Sequence, residues 1–125
     1  MQFGQDFEKI FFRLSLEKVK YLQAIKSGFY TSEEIDALSF LANKFYSKFN
    51  ETPSKEQLEL LVKNHPKSKE RVSENILNII FEVDLNKYDE EWITSTAESW
   101  IKWRTFNTSF TDTIEFIKTT QVTPE

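Results

Sequence analysis

The side chains able to carry chemistry are few. His65 is the one histidine in 125 residues, and there is no cysteine. Neither a His-rich metal site nor a Cys-His nucleophile pair can form from that set. Two carboxylate pairs, Glu33-Glu34 and Glu90-Glu91, have the composition a general acid and base would need. Adjacent residues on a helix point in different directions, however, and each pair falls in what reads as a first helical turn. The helix dipole attracts acidic groups there without any catalytic role. Gly4 and Gly28 are the only glycines, so no phosphate loop of the G-x-x-x-x-G-K-S/T type is present. Lys63, Lys67, Lys69 and Arg71 crowd around His65-Pro66. Single-strand binding wants aromatic platforms among such charges. None is interleaved, and Glu70 and Glu74 dilute the cluster, so it reads as a solvated turn. The sequence predicts no catalytic residue, no metal site, no bound cofactor and no enzyme activity.

The elements that would hold a binding surface are helices. Two Gly and three Pro leave few turns, which points away from a strand-rich fold. The length suffices for one modest core. No run approaches eighteen apolar residues, so no membrane span is expected, and Met1-Gln2-Phe3 does not open a signal peptide. The absence of Cys suits a reducing compartment. The formal charge of −4 is uneven. Residues 1–30 carry five basic and three acidic groups, while residues 82–125 carry four basic and nine acidic. That balance argues against tight nucleic-acid binding.

Phe7, Ile10, Phe11 and Leu14 lie at i, i+3, i+4 and i+7 and predict an amphipathic first helix. Ser15 is expected to cap a second helix carrying Val19, Leu22 and Ile25, with Gly28 at its C′ position. Thr31 with Glu34 reads as a capping box for a third helix burying Ile35, Leu38, Leu41, Ala42, Phe45 and Phe49. Thr52-Pro53 breaks it. Ser54 with Gln57 is a second capping box, ahead of Leu58, Leu61 and Val62, and His65-Pro66 closes that helix. A fifth helix is expected to start at Lys67 or Ser68 and run through Ile76, Leu77, Ile80 and Phe81. Asp84-Leu85-Asn86-Lys87-Tyr88 is then a loop.

Residues 89–119 form the most distinctive stretch. They contain no Gly or Pro. Thr96, Trp103, Phe110 and Ile117 are seven apart, as are Ile93, Trp100, Asn107 and Ile114, which draws an apolar seam along one long helix. Asp89 is a good N-cap. At about 1.5 Å per residue the helix is roughly 45 Å long, more than a small globule needs. Its threonines are weak helix formers, so burial of the seam must hold it. Thr123-Pro124 reads as the start of a further helix, and the expectation is that the chain is a piece of a longer one. Trp, Phe and Arg enrichment marks interface centres. The expected contact residues are Trp100, Trp103, Phe106, Asn107, Phe110, Ile114 and Ile117, with a second copy as the first partner. Asn107 is placed to fix register. The expected division is residues 1–88 as an all-α helical globule and 89–125 as the arm and the start of the next helix.

The order of motifs resembles a known family. Gly28-Phe29-Tyr30 leads into Thr31-Ser32-Glu33-Glu34, and Phe45-Tyr46-x-x-Phe49 precedes Thr52-Pro53-Ser54 and Leu58. Tyr88-Asp89-Glu90-Glu91-Trp92-Ile93 then runs through Glu98-x-Trp100-Ile101-Lys102-x-Arg104 to Phe106-Asn107. The pattern covers nearly the whole chain and is similar to the N-terminal domain of ring-shaped replicative DNA helicases of the DnaB-like kind, especially phage versions. The resemblance implies a small helical globule followed by a helical hairpin, with the arm as the hairpin's first helix. It implies a non-catalytic domain that helps assemble a hexameric ring and offers a surface to primase and helicase loader. The phosphate-loop motor would lie C-terminal to these residues, and the compartment would be the cytoplasm, that of a bacterial host if phage-encoded. The alternative is a stand-alone phage helical accessory or DNA-binding protein.

Overall fold

Polar caps and tertiary carboxylates decide where the helices start and stop. The computed structural model describes the backbone of residues 5–25 and 28–120 and the side chains of 6–25 and 28–106. In order these are α1 (Gln5–Glu17), α2 (Val19–Ala24), α3 (Glu33–Phe49), α4 (Lys55–Lys63), α5 (Pro66–Arg71) and α6 (Ile76–Phe81). A 3-10 turn at Leu85–Lys87 follows, then α7 (Glu90–Thr120). The chain is all-α, with 77% helix and no strand among the described residues. It divides into two compact units, Met1–Asp89 and Glu90–Glu125.

In the first unit α1 packs on α2, α3 and α6, while α3 packs on α2, α4 and α5. Phe11, Phe12, Leu22, Ile35, Leu38, Leu58 and Ile80 are fully buried at the centre. The Phe11 ring meets Tyr21 and Tyr30 edge-on at 5.7 and 6.2 Å, an arrangement aromatic quadrupoles favour. Arg13 places its guanidinium 5.3 Å from the Phe81 ring centre and 3.3 Å from Glu17, so it lies between α1 and α6.

One buried carboxylate ties the sequence-distant parts together. Glu8 on α1 is 1% exposed. It accepts hydrogen bonds from the Thr31 N–H at 2.9 Å, the Thr31 hydroxyl at 2.8 Å and the Ser32 N–H at 3.0 Å. A buried acid is tolerated when donors satisfy it, and these donors sit at the N-terminus of α3, where the dipole favours negative charge.

Several expected boundaries move for reasons of this kind. Ser15 does not cap α2. Its hydroxyl is buried and donates to the Phe12 carbonyl at 2.6 Å, so α1 continues to Glu17 and α2 begins after Lys18, whose backbone is extended. The α3 cap is Ser32, one residue after Thr31, and it accepts from the Ile35 N–H. Thr31 is engaged by Glu8, and Glu34 bonds the Ser73 N–H and hydroxyl at 3.1 and 2.8 Å instead of closing a box. That capture explains the second shift. The expected helix from Lys67 to Phe81 is two, α5 and α6, because Val72 turns extended and Ser73 is held by α3. His65 does more than close α4: it caps α5, with Pro66 at the first helical position.

Two turns need left-handed backbone. Gly28 has φ +85 and donates its N–H to both Asp36 carboxylate oxygens at 2.8 and 3.0 Å. It lies beyond the end of α2 at Ala24 and is not that helix's C′ residue. Asn50 ends α3 at φ 58, a conformation its short amide tolerates. The Ser54–Gln57 capping box forms in full.

Candidate docking surface on the long helix

The 31-residue helix α7 runs unbroken from Glu90 to Thr120. Its buried row is Ile93, Thr96, Ala97 and Trp100, at the three- and four-residue steps of one helix face. The heptad seam drawn from the sequence follows that row only to Trp100. At about 100° per residue Trp103 stands roughly 20° round from buried Thr96, its neighbour one heptad back, and roughly 80° round from Ile93. Trp103 is 39% exposed and Phe106 69%.

Trp92, at 46% exposure, falls within roughly 60° of those two on the helical wheel. The three rings make one exposed aromatic stripe along the flank of the buried row. The Arg104 guanidinium lies 5.8 Å from the Trp103 ring centre, a cation–π distance. Of the contact residues expected from the sequence, Trp100 is fully buried, while Trp103 and Phe106 are exposed. The side chains of Asn107, Phe110, Ile114 and Ile117 lie outside the described residues.

The remaining candidates resolve into structural roles. The His65 Nδ1 accepts from the Ser68 N–H at 3.2 Å and faces the Ser68 hydroxyl at 2.9 Å, which makes it a helix cap. Glu34 anchors Ser73, and Glu33, Glu90 and Glu91 are exposed first-turn acids. No group of three or more His, Cys, Asp or Glu able to hold a metal occurs among the described residues. Lys63 and Lys69 line a cleft of about 460 Å³ together with Glu59 and Glu74. The signs balance there, so the cleft offers no single charge to a ligand.

A second exposed face went unread in the sequence. On α3, Phe40, Asn43, Lys44, Ser47 and Lys48 line a shallow concavity. Phe40 is 42% exposed, its ring lies 6.0 Å from that of His65, and the Lys44 ammonium stands 5.4 Å from its centre. The i, i+4, i+8 spacing of Phe40, Lys44 and Lys48 was the available signal. It was masked by the apolar row of Ile35, Leu38, Leu41 and Ala42 beside it.

No family model, curated protein or solved structure matches this chain. Fold and surface together define its class: an all-α module with a buried-centred globular unit and a long helix bearing exposed aromatic side chains. No helix among the described residues is long and apolar enough to cross a membrane.

Proposed function

We propose that this chain is a non-catalytic assembly and docking domain, and that α7 is its contact element. The observation that carries this reading is the exposure of Trp103 and Phe106, at 39% and 69%, in line with Trp92 on one flank of a 31-residue helix. Exposed aromatics clustered on one helix face form the kind of apolar surface that marks interaction sites. Trp and Arg are also the side chains that dominate interface energetics.

The resemblance to the N-terminal domain of DnaB-like replicative helicases gives the class of assembly. In that setting the domain associates with copies of itself in a ring and presents a surface to primase or loader, while a separate motor hydrolyses ATP. The test is sedimentation of the chain between about 5 and 200 µM, a range that covers the affinities of transient interfaces, together with titration against the purified primase of the same replication system. Association, or primase binding, that is lost on Phe106→Glu with helicity retained supports the reading. A chain that stays monomeric and binds no primase removes it.

A further inference from the structure

We propose that the basic face of α3, centred on Phe40, Lys44 and Lys48, docks the acidic first turns of α7 from a second copy of the chain. The inference rests on the reading of the chain as an assembly domain and assigns a second contact to it, distinct from the aromatic stripe.

The two faces match in charge. On α3 the two lysines are four residues apart, about 6 Å along the axis, with Phe40 one further turn towards the N-terminus. All three share one side with Ser47 and Asn43 in the same shallow concavity. Neither lysine is in an ion pair among the described residues. Each ammonium stands over a ring instead, Lys44 at 5.4 Å from Phe40 and Lys48 at 5.6 Å from Phe49. Cation–π placement of this kind leaves the charge available to an anion. On α7, Glu91, Ser95 and Glu98 line another shallow concavity with Thr94 and Glu90. Glu91 and Glu98 are two turns apart, about 10.5 Å, and both are exposed. They lie on the far side of α7 from the buried row of Ile93, Ala97 and Trp100.

The occupant is argued from charge. A surface of two lysines and one phenylalanine selects an acidic partner with polar groups to line the groove, and the same chain carries one. Each copy thus offers a donor face and an acceptor face. A contact between unlike faces of identical chains is heterologous: it repeats from copy to copy and closes into a ring or continues as a string. Nucleic acid is the weaker fit, because the chain as a whole carries −4 and two lysines neutralise few phosphates.

The experiment is a reciprocal charge reversal on the full chain. The variants are Lys44→Glu/Lys48→Glu and Glu91→Lys/Glu98→Lys, with Lys44→Gln/Lys48→Gln as a neutral control, each checked for helicity by circular dichroism. Association is read by sedimentation and by fluorescence anisotropy of labelled chain, in about 50 and 500 mM salt, since exposed charge pairs are screened over that range. Each reversed variant alone loses association by about tenfold or more, and mixing the two restores it to within roughly threefold of the parent, the signature of a direct pairing. The parent weakens about fivefold or more at the higher salt. The inference is overturned if both reversed variants associate like the parent, or if mixing restores nothing. It is also overturned if the lysine variant loses binding to a labelled oligo-dT while self-association is unchanged. Loss of association on Phe106→Glu with no effect of either reversal would leave the docking reading standing and remove only this contact.

Discussion

Glu8 is the residue whose removal should damage the globular unit most for its size. It is 1% exposed and satisfies the Thr31 N–H, the Thr31 hydroxyl and the Ser32 N–H at 2.8 to 3.0 Å. Glu8→Ala leaves two part-buried backbone donors unpaired, while the Thr31 hydroxyl can rotate to water because Thr31 is exposed. An unsatisfied buried donor costs about 1–3 kcal/mol, and the emptied side-chain space adds to that. The expected loss is therefore about 3 kcal/mol, a large fraction of the 5–15 kcal/mol typical of a domain. Glu8→Gln keeps one acceptor oxygen but turns an NH₂ towards the remaining donors, so it should cost about half as much. Urea unfolding followed by circular dichroism at constant m-value reads both, and the melting temperature of the Ala variant should fall by roughly 10 °C or more. A loss below about 1 kcal/mol for Glu8→Ala would show that water satisfies the α3 N-terminus and that this carboxylate does not anchor it.

Three further outcomes follow from single features. Ser54→Ala breaks the capping box of α4 and should cost about 1 kcal/mol in the same urea experiment. Gly28→Ala meets no atom within 4 Å of the new Cβ but must hold φ +85, so it should lose about 1 kcal/mol from backbone strain alone, and Gly28→Asn less. Tyr30 is buried, and burial first, then the Glu8 charge, pushes its hydroxyl well above the ordinary phenol range. Unfolded Tyr30 releases its proton near pH 10 while folded Tyr30 keeps it. The folded state then binds more protons, so stability is intact below that pH and falls above it by about 1.4 kcal/mol per pH unit. Urea midpoints at pH 9, 10 and 11 should show the decline, and Tyr30→Phe should flatten it.

The all-α character was legible because the periodicities of Phe11/Leu14, Ile35/Leu38/Leu41/Ala42 and Leu58/Val62 are strong and local. Local capping chemistry was legible where no remote group competes, as at Ser54 and Gln57. It failed where a distant carboxylate intervened. Glu8 takes the N–H of Thr31 and shifts the α3 cap to Ser32, and Glu34 takes that of Ser73 and splits one expected helix into α5 and α6. Nothing near Thr31 or Ser73 in the sequence announces a partner 23 or 39 residues away. On α7 the aromatic residues were legible, and the seven-residue seam is buried at Ile93, Thr96 and Trp100 and half-exposed at Trp103. Trp103 lies only about 20° round the helix from buried Thr96, so the seven-residue spacing alone did not tell which of the two would be covered. The basic face of α3 was missed because the apolar row on the other side of that helix drew the reading, and Phe40, which stands among lysines, lies outside that row.

The central claim is that the aromatic flank of α7 is a contact surface, and site-specific photocrosslinking tests it most directly. A benzophenone amino acid at position 106 sits in the exposed stripe, and one at position 56 sits on exposed α4 as a control. Irradiation of the chain, alone and with purified primase, should give crosslinked species from position 106 to a second copy or to primase, and none above background from position 56. Equal yields from the two positions, or no crosslink from position 106 at any concentration up to about 200 µM, a range that would populate even a weak interface, would contradict the account.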